Sequence, residues 1–142
     1  MGAPFRHQLR VRYAECDPQG VVFNAHYLAY FDTSITELWR AAFGGYNTML
    51  DHGLDVVVAE ARLRFQTPAH FDEKLTLEIA ITRLGTTSIA SAHRITRADD
   101  LVVEGTLHHV LVDRPTLAKR PIPDWLRERL APWTVKDVSA GS

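Results

Sequence analysis

The chain has 142 residues, 46% of them apolar, with 16 Lys plus Arg against 17 Asp plus Glu and a single cysteine, Cys16. One cysteine excludes a disulfide scaffold, and near-neutral charge excludes the concentrated cationic surface on which nucleic-acid binding depends. No apolar run approaches the roughly 18 to 20 residues of a membrane span, and Met1 to Arg12 lacks the apolar stretch of a signal peptide, so the expectation is a cytoplasmic chain with no membrane insertion.

Residues 5–15 open the chain with period-two alternation. Phe5, His7, Leu9, Val11 and Tyr13 share one parity and Arg6, Gln8, Arg10 and Arg12 the other, which predicts a strand buried on one face. Residues 24–43 switch to helical period. Leu28, Phe31, Ile35, Leu38 and Ala42 form an apolar stripe in a segment free of Gly and Pro, and Gly44-Gly45 stops it. Residues 56–66 return to alternation, with Val57, Ala59, Ala61, Leu63 and Phe65 on one side and Glu60, Arg62, Arg64 and Gln66 on the other. Residues 74–82 set Leu75, Leu77, Ile79 and Ile81 on one face. Residues 88–96 and 101–112 follow after turns at Leu84-Gly85-Thr86 and Ala98-Asp99-Asp100, so these three strands predict an antiparallel meander. A short helix is predicted over 123–130, with Pro123 at its start and Pro132 just past its end. Residues 134–142 read as a disordered tail, leaving 1–133 as a single domain.

These elements make an α+β protein. A lone long helix needs cover for its apolar stripe, and a five-stranded antiparallel sheet curled around it supplies that cover. The free edges of such a sheet invite pairing between copies.

The stretch that carries chemistry links the first strand to the long helix: Glu15-Cys16-Asp17-Pro18-Gln19-Gly20-Val21-Val22-Phe23-Asn24-Ala25-His26-Tyr27. Pro18 and Gly20 make a tight turn. Asp17 has two readings. It is a turn residue or helix cap, or it is a carboxylate facing the unpaired N–H groups and positive dipole end of the helix, the parts needed for acyl transfer.

This string resembles the signature of the 4-hydroxybenzoyl-CoA thioesterase family of hot-dog-fold proteins, which includes acyl-CoA thioesterases associated with the Tol-Pal system. The matching positions are Asp17, Gly20, Val21-Val22, Phe23 and Tyr27, with Arg12 and Tyr13 upstream and Arg62, Leu63, Phe65, Pro68, Asp72, Leu75 and residues 84–88 downstream. The resemblance implies a hot-dog fold with a long central helix, a homodimer or homotetramer, and hydrolysis of a small aliphatic or aromatic acyl-CoA without metal or organic cofactor. It implies Asp17 as nucleophile or general base, and a backbone N–H near Asn24 as the oxyanion donor beside the Gly20 turn. Tyr27 would line the acyl pocket or brace the turn. Beside the resemblance, Phe23, Phe31, Val57 and Phe65 are, with Tyr27, the apolar candidates for that pocket. Asn24 stands where relatives carry His or Tyr, so it can donate a hydrogen bond but not relay a proton.

CoA carries phosphates, which makes Arg62, Arg64, Arg94 and the Thr86-Thr87-Ser88 turn candidate contacts. Glu37 on the helix points away from the apolar stripe. No pair among the seven histidines has metal-ligand spacing on a helix. Cys16 reads as a packing residue, since a neighbouring carboxylate disfavours its thiolate. Two alternatives stay open: a silent acyl-CoA-binding or assembly module, and a hot-dog hydratase or dehydratase.

Overall fold

The computed structural model describes residues 2–135. Strand β1 (Phe5–Arg10) leads through a 3-10 turn (Tyr13–Glu15) to helix α1 (Asn24–Phe43) and a short helix α2 (Tyr46–Asp51). Four strands follow, β2 (Leu54–Phe65), β3 (Lys74–Leu84), β4 (Ser88–Arg97) and β5 (Asp100–Asp113), and then helix α3 (Asp124–Leu130). The strands form one sheet in the order β1-β3-β4-β5-β2, every neighbouring pair antiparallel. No helix among the described residues is long and apolar enough to cross a membrane.

The core lies between α1 and the inner face of the sheet. Tyr27, Tyr30, Phe31, Leu38 and Trp39 of α1 are buried, as are Leu75, Leu77, Ile79 and Ile81 of β3 and Leu107 and Leu111 of β5. This is the hot-dog arrangement that the resemblance implied. Gly44 ends α1 with φ 94°, a left-handed conformation that glycine adopts without steric cost.

Three expectations are corrected. The strand expected over 5–15 stops at Arg10, because the Glu15 carboxylate captures the Arg12 N–H and folds the chain into a turn; Tyr13 therefore leaves the buried parity and is 80% exposed. In β2 the register slips between Val58 and Glu60, so Ala59 is an extra residue in a β-bulge. The bulge reverses parity: Val56 and Val58 share the inner face with Ala61, Leu63 and Phe65, and Val57 lies outside, opposite Val110. Val57 is thereby removed from the set of apolar residues expected around the acyl group. Finally, Thr134 and Val135 are tied to the domain: the Gly2 N–H donates to Thr134 O (3.1 Å) and the Val135 N–H to Ile81 O (2.8 Å). The rest of the expected tail, 136–142, lies outside the described residues. Helix α2 has no counterpart in the sequence reading, since six residues are too few to establish a periodicity.

Candidate active site

Asp17 closes the turn that delivers the chain to α1. Its N–H donates to Val21 O (2.8 Å) and its carbonyl accepts the Gly20 N–H (2.9 Å). Its Oδ1 accepts the N–H groups of Gln19 (2.8 Å) and Val21 (3.4 Å), and Oδ2 has no partner among the described residues. Asp17 therefore satisfies its turn role with one carboxylate oxygen and presents the other. Gly20 sits at φ 81°, where a side chain would be strained. The Gly20 N–H is consumed inside the turn, so Gly20 is a turn residue and not an oxyanion donor.

The first turn of α1 carries unpaired backbone donors. Phe23 caps the helix in an extended conformation, and its N–H goes to Glu15 O (3.0 Å). The N–H groups of Asn24 and Ala25 have no acceptor among the described residues. Unpaired N–H groups at a helix N-terminus carry partial positive charge and bind anionic oxygen.

Asp17, Phe23, Asn24 and Tyr27 meet at one cleft of about 410 Å³, whose other wall is Phe65, Gln66, Thr67 and Pro68 from the end of β2 and the loop after it. Three of the residues expected around the acyl group or oxyanion, Phe23, Asn24 and Tyr27, are thus brought together with Asp17. Phe31 is not. It is fully buried beneath the cleft, stacked on the His93 ring at 4.4 Å, because it stands one helical turn further into the core.

A buried network that no sequence signal isolated fixes the cleft. Glu15 is only 9% exposed. Its carboxylate accepts from the Arg12 N–H (2.8 Å), the Arg12 guanidinium (3.0 Å) and the Tyr30 hydroxyl (2.8 Å). Burial pushes the Glu15 carboxyl up, but these hydrogen bonds together hold it below its ordinary value. Tyr30 is raised by burial and by donating to Glu15. The Tyr27 hydroxyl accepts the Ala69 N–H (3.0 Å), tying α1 to the opposite wall. Arg97 holds that wall from outside, donating to Pro68 O (3.0 Å) and to Glu73 (3.0 Å). Cys16 is half-buried, and burial followed by the charges of Glu15 and Asp17 raises its thiol, the outcome expected of a packing residue.

The candidate CoA contacts do not gather at the cleft of this chain. Thr86, Thr87 and Ser88 are held by backbone bonds to Ile122, Leu111 and Gly85. They lie at the opposite end of β4 from Arg97, a separation of roughly 30 Å at about 3.3 Å per residue. Arg62 is exposed and ion-paired with Glu60 (2.7 Å). Arg64 and Arg94 belong to a row of alternating charge across the outer face. Arg6 faces Glu78, Glu78 faces Arg94, Arg94 faces Glu104, and Glu104 faces Arg64, one residue from each strand in turn. Glu37 pairs with Arg40 one helical turn on. Among the described residues, no group of three or more His, Cys, Asp and Glu side chains is arranged to hold a metal ion.

Comparison with known proteins gives the site a context. Acyl-CoA thioester hydrolase YbgC of Escherichia coli O6:H1 is 29% identical over 120 residues, 84% of this chain and 90% of that protein. Putative acyl-CoA thioesterase YneP of Bacillus subtilis is 26% identical, covering 84% and 91%. The crystal structure of Slr0204, a 1,4-dihydroxy-2-naphthoyl-CoA thioesterase from Synechocystis, superposes with a TM-score of 0.82 at 20% identity over 96% of this chain and 98% of that one, a likeness of fold. The family model described as the thioesterase-like superfamily matches residues 11–130, nearly the whole described domain, and the chain belongs to that superfamily.

Proposed function

We propose that this protein hydrolyses an acyl-CoA thioester to the free acid and CoA, with Asp17 as nucleophile or general base and the N-terminus of α1 as the oxyanion site. The observation that carries the reading is the Asp17 carboxylate, with Oδ2 unengaged, in one cleft with Asn24, whose N–H is unpaired among the described residues. A carboxylate and a preorganised backbone donor at a helix N-terminus can carry out acyl transfer without a metal or organic cofactor. The apolar and aromatic walls, Phe23, Tyr27 and Phe65, suit a small aliphatic or aromatic acyl group. The names of YbgC and YneP support the same reaction class. The working unit in this reading is a homodimer paired through the free edge of β2, whose last residue, Phe65, forms part of the cleft wall.

The test is free-thiol release from a panel of aliphatic, aryl and arylacetyl CoA thioesters. Wild-type protein is expected to turn over at least one of them. Asp17→Asn is expected to lose turnover by about a thousandfold or more, the scale of removing a nucleophile or base, with its thermal midpoint nearly unchanged. Equal turnover by the variant sinks the assignment of Asp17. Tight binding across the panel with no cleavage by wild type would replace the enzyme by a silent acyl-CoA-binding module.

A further inference from the structure

The phenol of Tyr27 has one hydrogen bond more to make than the fold gives it. It is 3% exposed, and its oxygen accepts the Ala69 N–H, yet its own proton has no acceptor among the described residues. A buried hydroxyl with an idle donor is rare, because a donor removed from water without a partner is destabilising. The ring cannot swing away to find one. It is held against Tyr30 (6.0 Å, 81°) and Phe65 (5.8 Å, 55°). The residue also borders the cleft that contains Asp17 and Asn24.

Helix geometry gives the level of the cleft that the phenol reaches. Side chains lean toward the N-terminus of their helix, and Tyr27 is the fourth residue of α1, so its phenol reaches back to the level of the first turn. That is the level of the unpaired N–H groups of Asn24 and Ala25. Burial raises the phenol above its ordinary value, so it remains a neutral donor across the working pH range. The Ala69 N–H donating to the same oxygen polarises the O–H and strengthens it as a donor.

We infer that the Tyr27 hydroxyl is a second class of oxyanion donor, hydrogen-bonding the thioester carbonyl oxygen alongside the α1 N-terminus. This rests on the thioesterase reading above. As the attacking oxygen bonds to the carbonyl carbon, the π pair moves onto the carbonyl oxygen, and Tyr27 stabilises that charge without giving up its proton. When the intermediate collapses, the pair returns to the carbonyl and the CoA sulfur leaves as thiolate, to be protonated by water. Tyr27 is then a catalytic residue, and the Ala69 N–H is the group that aims it.

Tyr27→Phe keeps the ring and removes the donor. With an aliphatic and an aromatic acyl-CoA, the variant is expected to lose about 100-fold in kcat, by the same factor for both, with KM changed less than about threefold, the signature of an oxyanion-hole donor. Unchanged kcat overturns the inference even if the thermal midpoint falls, since that outcome is the loss of the Ala69 brace alone. A loss confined to one acyl class also overturns it, because the contact is then to the acyl tail. Wild type assayed in parallel separates the two readings: an inert wild type removes the thioesterase reading itself, whereas an active wild type with an equally active variant removes only the role of Tyr27.

Discussion

At the scale of single residues, the position of Asp17 depends on a neighbour that does no chemistry. Glu15 anchors the turn to α1 through Tyr30 and to the chain before it through Arg12. Removing the Tyr30 hydroxyl leaves a buried carboxylate short of one donor, so Tyr30→Phe is expected to cost about 1–3 kcal/mol in chemical denaturation. The effect has a pH signature. The Glu15 carboxyl is depressed in the folded protein, so its contribution is fully present above its ordinary value and is lost as pH falls through the folded value. Wild-type stability should therefore decline in acid more steeply than that of Tyr30→Phe, and parallel declines would show that Glu15 is not the group involved. Asp17, Gly20 and the helix start were legible in the sequence because a Pro-x-Gly turn and a Gly-free apolar stripe have local causes. The exposure of Tyr13 was not, because the event that breaks the strand is a hydrogen bond from Arg12 to Glu15, and alternation alone carries no trace of it.

At the scale of elements, pairing partners decide roles that composition leaves open. Arg64 and Arg94 looked free to meet phosphate until the register set Glu104 between them. The bulge at Ala59 moved Val57 outside for the same reason: a single inserted residue, invisible as a pattern, exchanges the two faces of a strand. Gly105 on β5 shows the tightest of these constraints. It lies opposite Leu63 of β2 and His93 of β4. A methyl group there would stand 2.0 Å from Arg62 O and 3.0 Å from the Phe31 ring, so a backbone atom of β2 and the centre of α1 both occupy the space. Gly105→Ala is accordingly expected to destabilise by about 3 kcal/mol, at the upper end of overpacking, because backbone cannot yield as a flexible side chain does. A thermal midpoint within a degree or two of wild type would show that β2 shifts freely at this point.

At the scale of the whole molecule, β2 is the unfinished part. It is an edge strand of twelve residues, of which eight are exposed, including Val57, Val58 and Phe65. Edge strands left open are usually short, charged on their free side or covered, and this one is long, with apolar residues facing solvent in one chain. Beside it a groove between α1 and β2 is lined by Ile35, Trp39, Val56 and Val58. Pairing with a second β2 would satisfy the free edge and cover that groove in one step, and it would bring the second chain alongside Phe65 at the cleft. The proposed dimer predicts that sedimentation finds twice the chain mass at micromolar concentration. Val58→Lys sets a cation in the groove beside the pairing edge, which the second chain would cover, and should yield monomer at the same concentration, with turnover reduced together with the dimer fraction. Wild type that sediments as a monomer at full turnover would remove the dimer from the mechanism and leave the cleft of one chain as the complete site.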